Sequence, residues 1–379
     1  MAMPGLVVRR IETTSDFESL RDAWNRLFER CPHQSTFLTW EWLFTWWKFY
    51  STGRRLSIFT VWEGGELVGI APLKIARRKK KYLWYRILGN LGKPHADIAG
   101  FLVDHGRFDV MAQICAAIAG SSAEWDVFEL EEAPLAEHGL IPILSGLTAH
   151  QCVYRLIPTR HLHIHTVGDF RLYYEGLPKR LRKQIRKSIE RLKGEGVSVS
   201  YRRFVGDEVK PEHLQAIFEI NAKGTFPELY QDEITRRFHL ELAKTLTSQA
   251  VMDISFLYFN EQPVAFDYGF RINQRFEDWR GGYDKTYADY GPGNILFLHL
   301  IENNFNSRLR EIDFLRGDEE YKLRWQVTEH PHAVLQVVPP RRILAHASYI
   351  WLPALKKKVI EWTTRQEKPQ QAELVEPIS

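Results

Sequence analysis

Two β-hairpin signals stand 196 residues apart in this chain, and they set the plan of everything around them. The first joins alternating runs at 56–62 and 67–76 through Gly64-Gly65; the second joins runs at 253–259 and 264–271 through Asn260-Glu261. Turn-forming pairs between period-two hydrophobic runs are what tight hairpins require. The shift that superposes Gly64-Gly65 on Asn260-Glu261 also places Val68 on Val264, and a further run at 276–283 follows a turn at Asn273-Gln274. Helical periodicity precedes each hairpin (38–50 and 231–246) and follows it (108–119 and 292–307), and each half closes on a short strand (126–130 and 311–315). The order β-α-α-β-β-β-α-β occurs twice. It predicts an α/β (α+β) fold of two fused lobes, each a mixed, mostly antiparallel sheet flanked by helices; a solenoid needs shorter and more numerous repeats.

Composition supports two packed lobes. The 379 residues include 12 Trp, 15 Tyr and 22 Phe, an aromatic load that needs an interior. Net charge is only +4, which excludes a basic coat for nucleic acid over the whole surface. The excess is concentrated: residues 171–193 hold nine Lys or Arg against Glu175 and Glu190. Within that stretch a helix over 178–193 is predicted, with Leu181, Ile185, Ile189 and Leu192 on its apolar face. Cys31, Cys115 and Cys152 form no clip or framework, and core thiols in a reducing compartment are expected. Arg9 and Arg10 interrupt the N-terminal apolar run, so neither a secretion signal nor a span is expected. The expected place is the cytoplasm, with peripheral contact at the inner membrane through basic helices.

The segment Tyr283-Asp284-Lys285-Thr286-Tyr287-Ala288-Asp289-Tyr290-Gly291-Pro292-Gly293-Asn294 runs from a strand end into a helix. Pro292 suits a first helical turn because its missing N–H has no partner there, and Gly293 leaves the backbone bare. Free amides at the positive end of a helix dipole favour a pyrophosphate.

This strand, loop and helix resemble the coenzyme A site of the GNAT acyltransferases, and the doubled layout resembles their two-lobed members. Two further stretches, Phe37-Leu38-Thr39-Trp40-Glu41-Trp42 with Trp46-Trp47, and Phe314-Leu315-Arg316-Gly317-Asp318-Glu319-Glu320-Tyr321-Lys322 before Trp325, are similar to the CelD-type acetyltransferase-like proteins of bacterial cellulose and envelope polysaccharide synthesis. The resemblance implies tandem GNAT-like lobes: residues 1–165 on the acceptor side and 166–340 on the acyl-CoA side, followed by a basic amphipathic helix and tail at 341–379. It implies acetyl-CoA or another acyl-CoA as co-substrate, with an amine, small or saccharide, as acceptor. In one respect the chain departs from the pattern: Ala288 stands where the usual loop carries Arg or Gln.

Site residues carry over from the same resemblance. Tyr290, Gly291, Pro292, Gly293 and Asn294 are expected to hold the cofactor, with Gly281-Gly282 at a bulge that turns an amide toward the thioester. Direct attack by an amine needs a base and an acid but no covalent nucleophile. Asp267, in an otherwise apolar strand, and Asp318 are the candidate bases, and Tyr283 and Tyr321 the candidate acids. Lys322 lies where Fem-type peptidyltransferases, whose close is similar, keep a lysine for a phosphate or oxyanion. His95 and Asp97, in Gly92-Lys93-Pro94-His95-Ala96-Asp97, and Arg316 are the candidate acceptor groups. The Fem likeness makes transfer RNA the partner in a second reading, and the lack of an unambiguous base supports a third, a degenerate GNAT pair that only binds. His161, His163 and His165 share one strand face, but no metal is expected, because neighbouring positions on one face rarely close a tetrahedron. A C-terminal stretch carrying Tyr349, Ile350, Trp351, Leu352, Ile360 and Lys356-Lys357-Lys358 resembles an interfacial helix.

Overall fold

The computed structural model describes residues 5–356 apart from 137–138, 247–249 and 308. Ile360, Lys357, Lys358 and the tail at 365–379 lie outside the described residues.

Strands of the first half are β1 (Val7–Ile11), β2 (Arg54–Leu56), β3 (Ile58–Glu63), β4 (Glu66–Ala71), β5 (Leu73–Lys80), β6 (Leu83–Asn90), β7 (Leu102–Val103), β8 (Val127–Pro134) and β9 (Val153–His165). Those of the second are β10 (Val199–Val205), β11 (Ala250–Phe259), β12 (Gln262–Ile272), β13 (Arg275–Tyr283), β14 (Glu311–Arg316) and β15 (Thr328–Val338). The hairpins β3–β4 and β11–β12 form at the two predicted turns, with Gly64, Gly65, Asn260 and Glu261 all at positive φ. The runs at 56–62 and 67–76, expected as single strands, each break in two. Pro72 donates no ladder hydrogen bond, so the chain bends there, and the break at Ser57 lies opposite it, where the Ser57 N–H donates to Leu73 O at 3.0 Å. The bend passes these strands from a four-stranded sheet, β1-β3-β4-β7, into an eleven-stranded one.

The large sheet runs β10-β11-β12-β13-β14-β9-β15-β8-β6-β5-β2, and its order is nearly palindromic. One parallel pair occurs in each half, β6 with β8 and β13 with β14; every other pair is antiparallel. At the centre the halves exchange their last strands. β9, from the first half, pairs with β14; β15, from the second, pairs with β8; and β9 and β15 pair with each other from Val153↔Val338 to His163↔Thr328.

Thr39 caps the helix Trp40–Tyr50 by accepting from the Trp42 N–H. This helix carries the aromatic run into the interior: Trp42 and Trp46 are fully buried, and Trp42 meets Phe238 and Trp279 of the second half edge to face, centroids 6.0 and 6.3 Å apart. Aromatic rings bury ~150–250 Å² each, so this shared cluster packs the two halves against each other over a large apolar area. The basic helix forms at Lys179–Gly194 with Leu181, Ile185 and Leu192 buried; Ile189, expected on the same face, is 37% exposed.

Candidate active site

The parallel pairing of β13 with β14 covers only Arg275↔Glu311, Phe276↔Ile312 and Glu277↔Asp313, and then the strands separate. Both sides of the split have a local cause. On β13 an extra residue, Trp279, interrupts the register with β12, since Tyr268 faces Arg280 while Gly269 faces Asp278. On β14, Leu315 and Gly317 take positive φ, and the Leu315 N–H donates to Asp313 Oδ1 at 2.7 Å, which turns the chain outward. The bulge therefore falls at Trp279, upstream of the expected Gly281-Gly282, because an inserted residue must sit where the ladder shifts.

The split opens a cavity of about 1400 Å³ that crosses from one half to the other. At one end lie Gly291, Gly293 and Asn294 at the start of the helix Pro292–Phe305, with Gln184 of the basic helix beside them. Gly291 caps this helix in the left-handed region (φ 59°), a conformation glycine adopts without strain. The Gly293 N–H has no acceptor among the described residues. A pyrophosphate fits this end by the chemistry of free amides at a helix start.

Two carboxyl groups face the middle of the cavity. Asp267 on β12 is buried, its Oδ1 has no hydrogen-bond partner, and burial reinforced by Asp278 and Asp253 holds its carboxyl well above the usual range. Its cross-strand neighbour is Gly281, where a Cβ would stand 3.5 Å from Asp267 Oδ2, so the missing side chain keeps that carboxyl open to the cavity. Asp278 is half-buried on β13 at the split, and desolvation pushes its carboxyl up to about 7 against the opposing pull of Lys322 and Arg280. A carboxyl near neutrality facing a cleft suits proton transfer. Asp278 escaped the sequence reading. Its signal was the pair Glu277-Asp278 between Phe276 and Trp279, shortly before Gly281-Gly282.

At the far end Asp97, from the first half, is 3% exposed and ties the two walls together. It pairs with Arg316 Nε of β14 at 2.8 Å and with Arg280 Nη1 of β13 at 3.6 Å. His95 lies outside the cavity lining. Its Nδ1 accepts from Trp46 Nε1 at 2.9 Å, its ring packs on Tyr50, and burial pushes its pKa down to about 4, so it is a neutral member of the aromatic cluster.

Of the other expected groups, Gly282, Tyr283, Arg316, Asp318, Tyr321 and Lys322 also line the cavity. Tyr290 and Pro292 do not: the Tyr290 hydroxyl donates to Glu195 under the Arg191 guanidinium, and Pro292 is buried. Asp318 is solvated and pairs with Arg160 at 3.5 Å. The Lys322 ammonium is already engaged, donating to Phe314 O (3.2 Å) and Arg316 O (3.0 Å) and pairing with Glu319 (2.8 Å), so it folds the loop after β14 onto the cavity wall. At the exchanged strands His161 stacks on His332 and His163 on His330, centroids 3.6 and 3.7 Å apart. His163, Glu311 and His330 bring one ligand atom each within 4.8 Å, but face-to-face imidazoles aim their lone pairs side by side, and His163 Nδ1 is bonded to Glu311 at 2.7 Å.

Residues 179–323 match the acetyltransferase (GNAT) domain family. The matched stretch holds β13, the split, the Gly291 turn and Lys322, so the second half carries a GNAT-fold acetyltransferase domain. Among solved structures the chain is similar to FemX (TM-score 0.56, 10% identity, covering 86% of this chain and 96% of that one) and to L-PGS from Bacillus licheniformis (0.52, 10%, 90% and 96%). A tandem GNAT protein from the clavulanic acid biosynthesis pathway matches at a TM-score of 0.49 and 12% identity, covering 88% and 98%. No curated protein matches significantly in sequence. At such identities FemX and L-PGS speak for the fold alone. They extend over nearly the whole chain, so the GNAT domain sits inside a two-lobed fold that other proteins share.

Proposed function

We propose that this protein transfers an acyl group from coenzyme A to an amine acceptor bound in the cavity between the halves. The observation that carries this reading is the split between β13 and β14, which joins the free amides of a helix start to an elevated carboxyl within one cavity. Gly291, Gly293, Asn294 and Gln184 would hold the donor, which when bound supplies an activated thioester. Asp278 takes the proton of the incoming ammonium, since at neutral pH a carboxyl near 7 is part ionised and still basic enough to accept it. Tyr321, pushed up by packing in the cavity wall and by Asp278, stays protonated and is the donor to a leaving thiolate. Asp97 is a positioning residue that holds Arg280 and Arg316 at the acceptor end.

The CelD-type resemblance points to an amino sugar of envelope polysaccharide or cellulose assembly as acceptor. Three buried unpaired cysteines favour a reducing, cytoplasmic setting.

Titration calorimetry with acetyl-CoA tests the donor. A Cβ at Gly293 would already touch Tyr283 Cδ1 at 3.4 Å, so Gly293→Leu fills the donor end. The wild type is expected to bind, and the variant to lose more than about tenfold in affinity, the scale of one lost charge-assisted hydrogen bond. No binding by the wild type, or equal binding by both, overturns the assignment. A second reading, aminoacyl transfer from transfer RNA, rests on the Fem-like close at Tyr321-Lys322 and on the basic helix Lys179–Gly194. Salt-sensitive binding of charged transfer RNA supports it, and a flat response removes it. Thiol release from acyl-CoA across a panel of amines separates both from a module that only binds.

A further inference from the structure

The hairpin β5–β6 ends in a sequence no part of the cavity uses: Arg77-Arg78-Lys79-Lys80-Lys81 running into Tyr82-Leu83-Trp84. Its tip is the turn at Lys81 and Tyr82, with Lys79 opposite Trp84 and Lys80 opposite Leu83. Tyr82 is 93% and Trp84 64% exposed. Arg77, Lys79 and Lys81 have no acceptor or acidic partner among the described residues. A folded protein gains nothing internally from two solvent-facing aromatics beside three unpaired cations.

A second element lies against this hairpin. Helical residues 343–356 run along it toward the tip: the Tyr85 hydroxyl meets Ser348 Oγ at 2.6 Å, and Lys80, nearer the tip, donates to Ser348 O at 2.9 Å and sits 3.5 Å over the Tyr349 ring. Tyr349 is buried by these contacts, while Trp351, Leu352 and Leu355 beyond it are exposed. Exposed aromatic and aliphatic side chains thus occur on two elements packed against each other, the lysine-rich hairpin tip and the helix beside it.

We propose that these two elements form a docking surface for an anionic lipid bilayer. Tyr and Trp suit the headgroup level, where one part of the ring is apolar and the other wet, and Lys79 and Lys81 are placed to meet lipid phosphates. Leu83, Leu352 and Leu355 decide between a bilayer and a nucleic acid: an acyl-chain boundary covers aliphatic side chains, whereas nucleic-acid bases stack on flat ones. No helix among the described residues is long and apolar enough to cross a membrane, so the contact is peripheral.

The test is sedimentation of the full chain with phosphatidylglycerol–phosphatidylcholine vesicles and with phosphatidylcholine vesicles alone. The wild type is expected to sediment with the anionic vesicles only and to be released by salt. Tyr82→Ser with Trp84→Ser, and separately Lys79→Glu with Lys81→Glu, are each expected to lower partitioning more than about tenfold while leaving acetyl-CoA binding unchanged. Three results overturn the proposal: a wild type that stays in solution with both vesicles, variants that sediment like the wild type, or tighter binding to transfer RNA than to anionic vesicles.

Discussion

Replacing Asp278 with Asn is expected to lower kcat by about 10²–10⁴-fold, the usual range for loss of a general base, with donor affinity little changed. The pH profile carries the sharper test. Because burial pushes the Asp278 carboxyl up to about 7, wild-type turnover rises as pH passes through 7 and then levels, and the Asn variant lacks that limb. Stability moves the opposite way. A carboxyl whose pKa is raised by folding contributes fully below its unfolded value and loses that contribution as pH climbs through its folded one, so the wild type weakens between about pH 4 and 7 relative to the Asp278→Asn variant. A variant that is slow yet at least as stable at pH 8 cannot owe its slowness to misfolding. Turnover within a few-fold of wild type would remove Asp278 from the mechanism.

Glu277→Ala is expected to cost roughly 1–3 kcal/mol of folding stability, the typical penalty for leaving a hydrogen-bonded partner unsatisfied. Glu277 is fully buried, pairs with Arg275 Nη2 at 3.0 Å and accepts the Thr36 N–H at 3.1 Å, so one side chain neutralises a half-buried guanidinium and fastens the segment before the aromatic helix. Once Glu277 is gone, the acidic neighbours left to Arg275 among the described residues are Asp313, at 4.0 Å, and the more distant Glu311. Urea denaturation reads the loss as a lower midpoint. Glu277→Gln keeps the acceptor for Thr36 and loses less, and a midpoint unchanged in the Ala variant would refute the account. Glu277 is also the last residue paired with β14, so the same variant loosens the mouth of the cavity.

Features encoded by neighbouring residues were legible in the sequence, and features encoded by distant pairing were not. Both hairpins followed from their turn residues, the exposed helix start from Gly291-Pro292-Gly293, and Asp267 stood out as a carboxylate among Ala265, Phe266 and Tyr268. Pro72 carried a bend that strand alternation alone concealed. His95 was misplaced because a polar residue in a Gly-Pro loop reads as exposed, and nothing local announces that Trp46 and Tyr50 close over its ring. The exchange of β9 and β15 had no local marker at all, since an extended run shows that it pairs but not with which partner. Asp278 became visible only once β13 and β14 were seen to part.

The exchanged strands make the two halves mutually dependent polypeptides. Cut between residues 165 and 166, the first fragment would carry β9 away from β14, and the second would carry β15 away from β8, so each would present an unpaired sheet edge to its neighbours in solution. Such fragments are expected to aggregate alone and to become soluble when produced together, each donating the strand that the other lacks, an outcome that co-expression followed by sedimentation reads. The exchange thus makes the two halves an obligate partnership, each completing the other's sheet at the centre of the molecule.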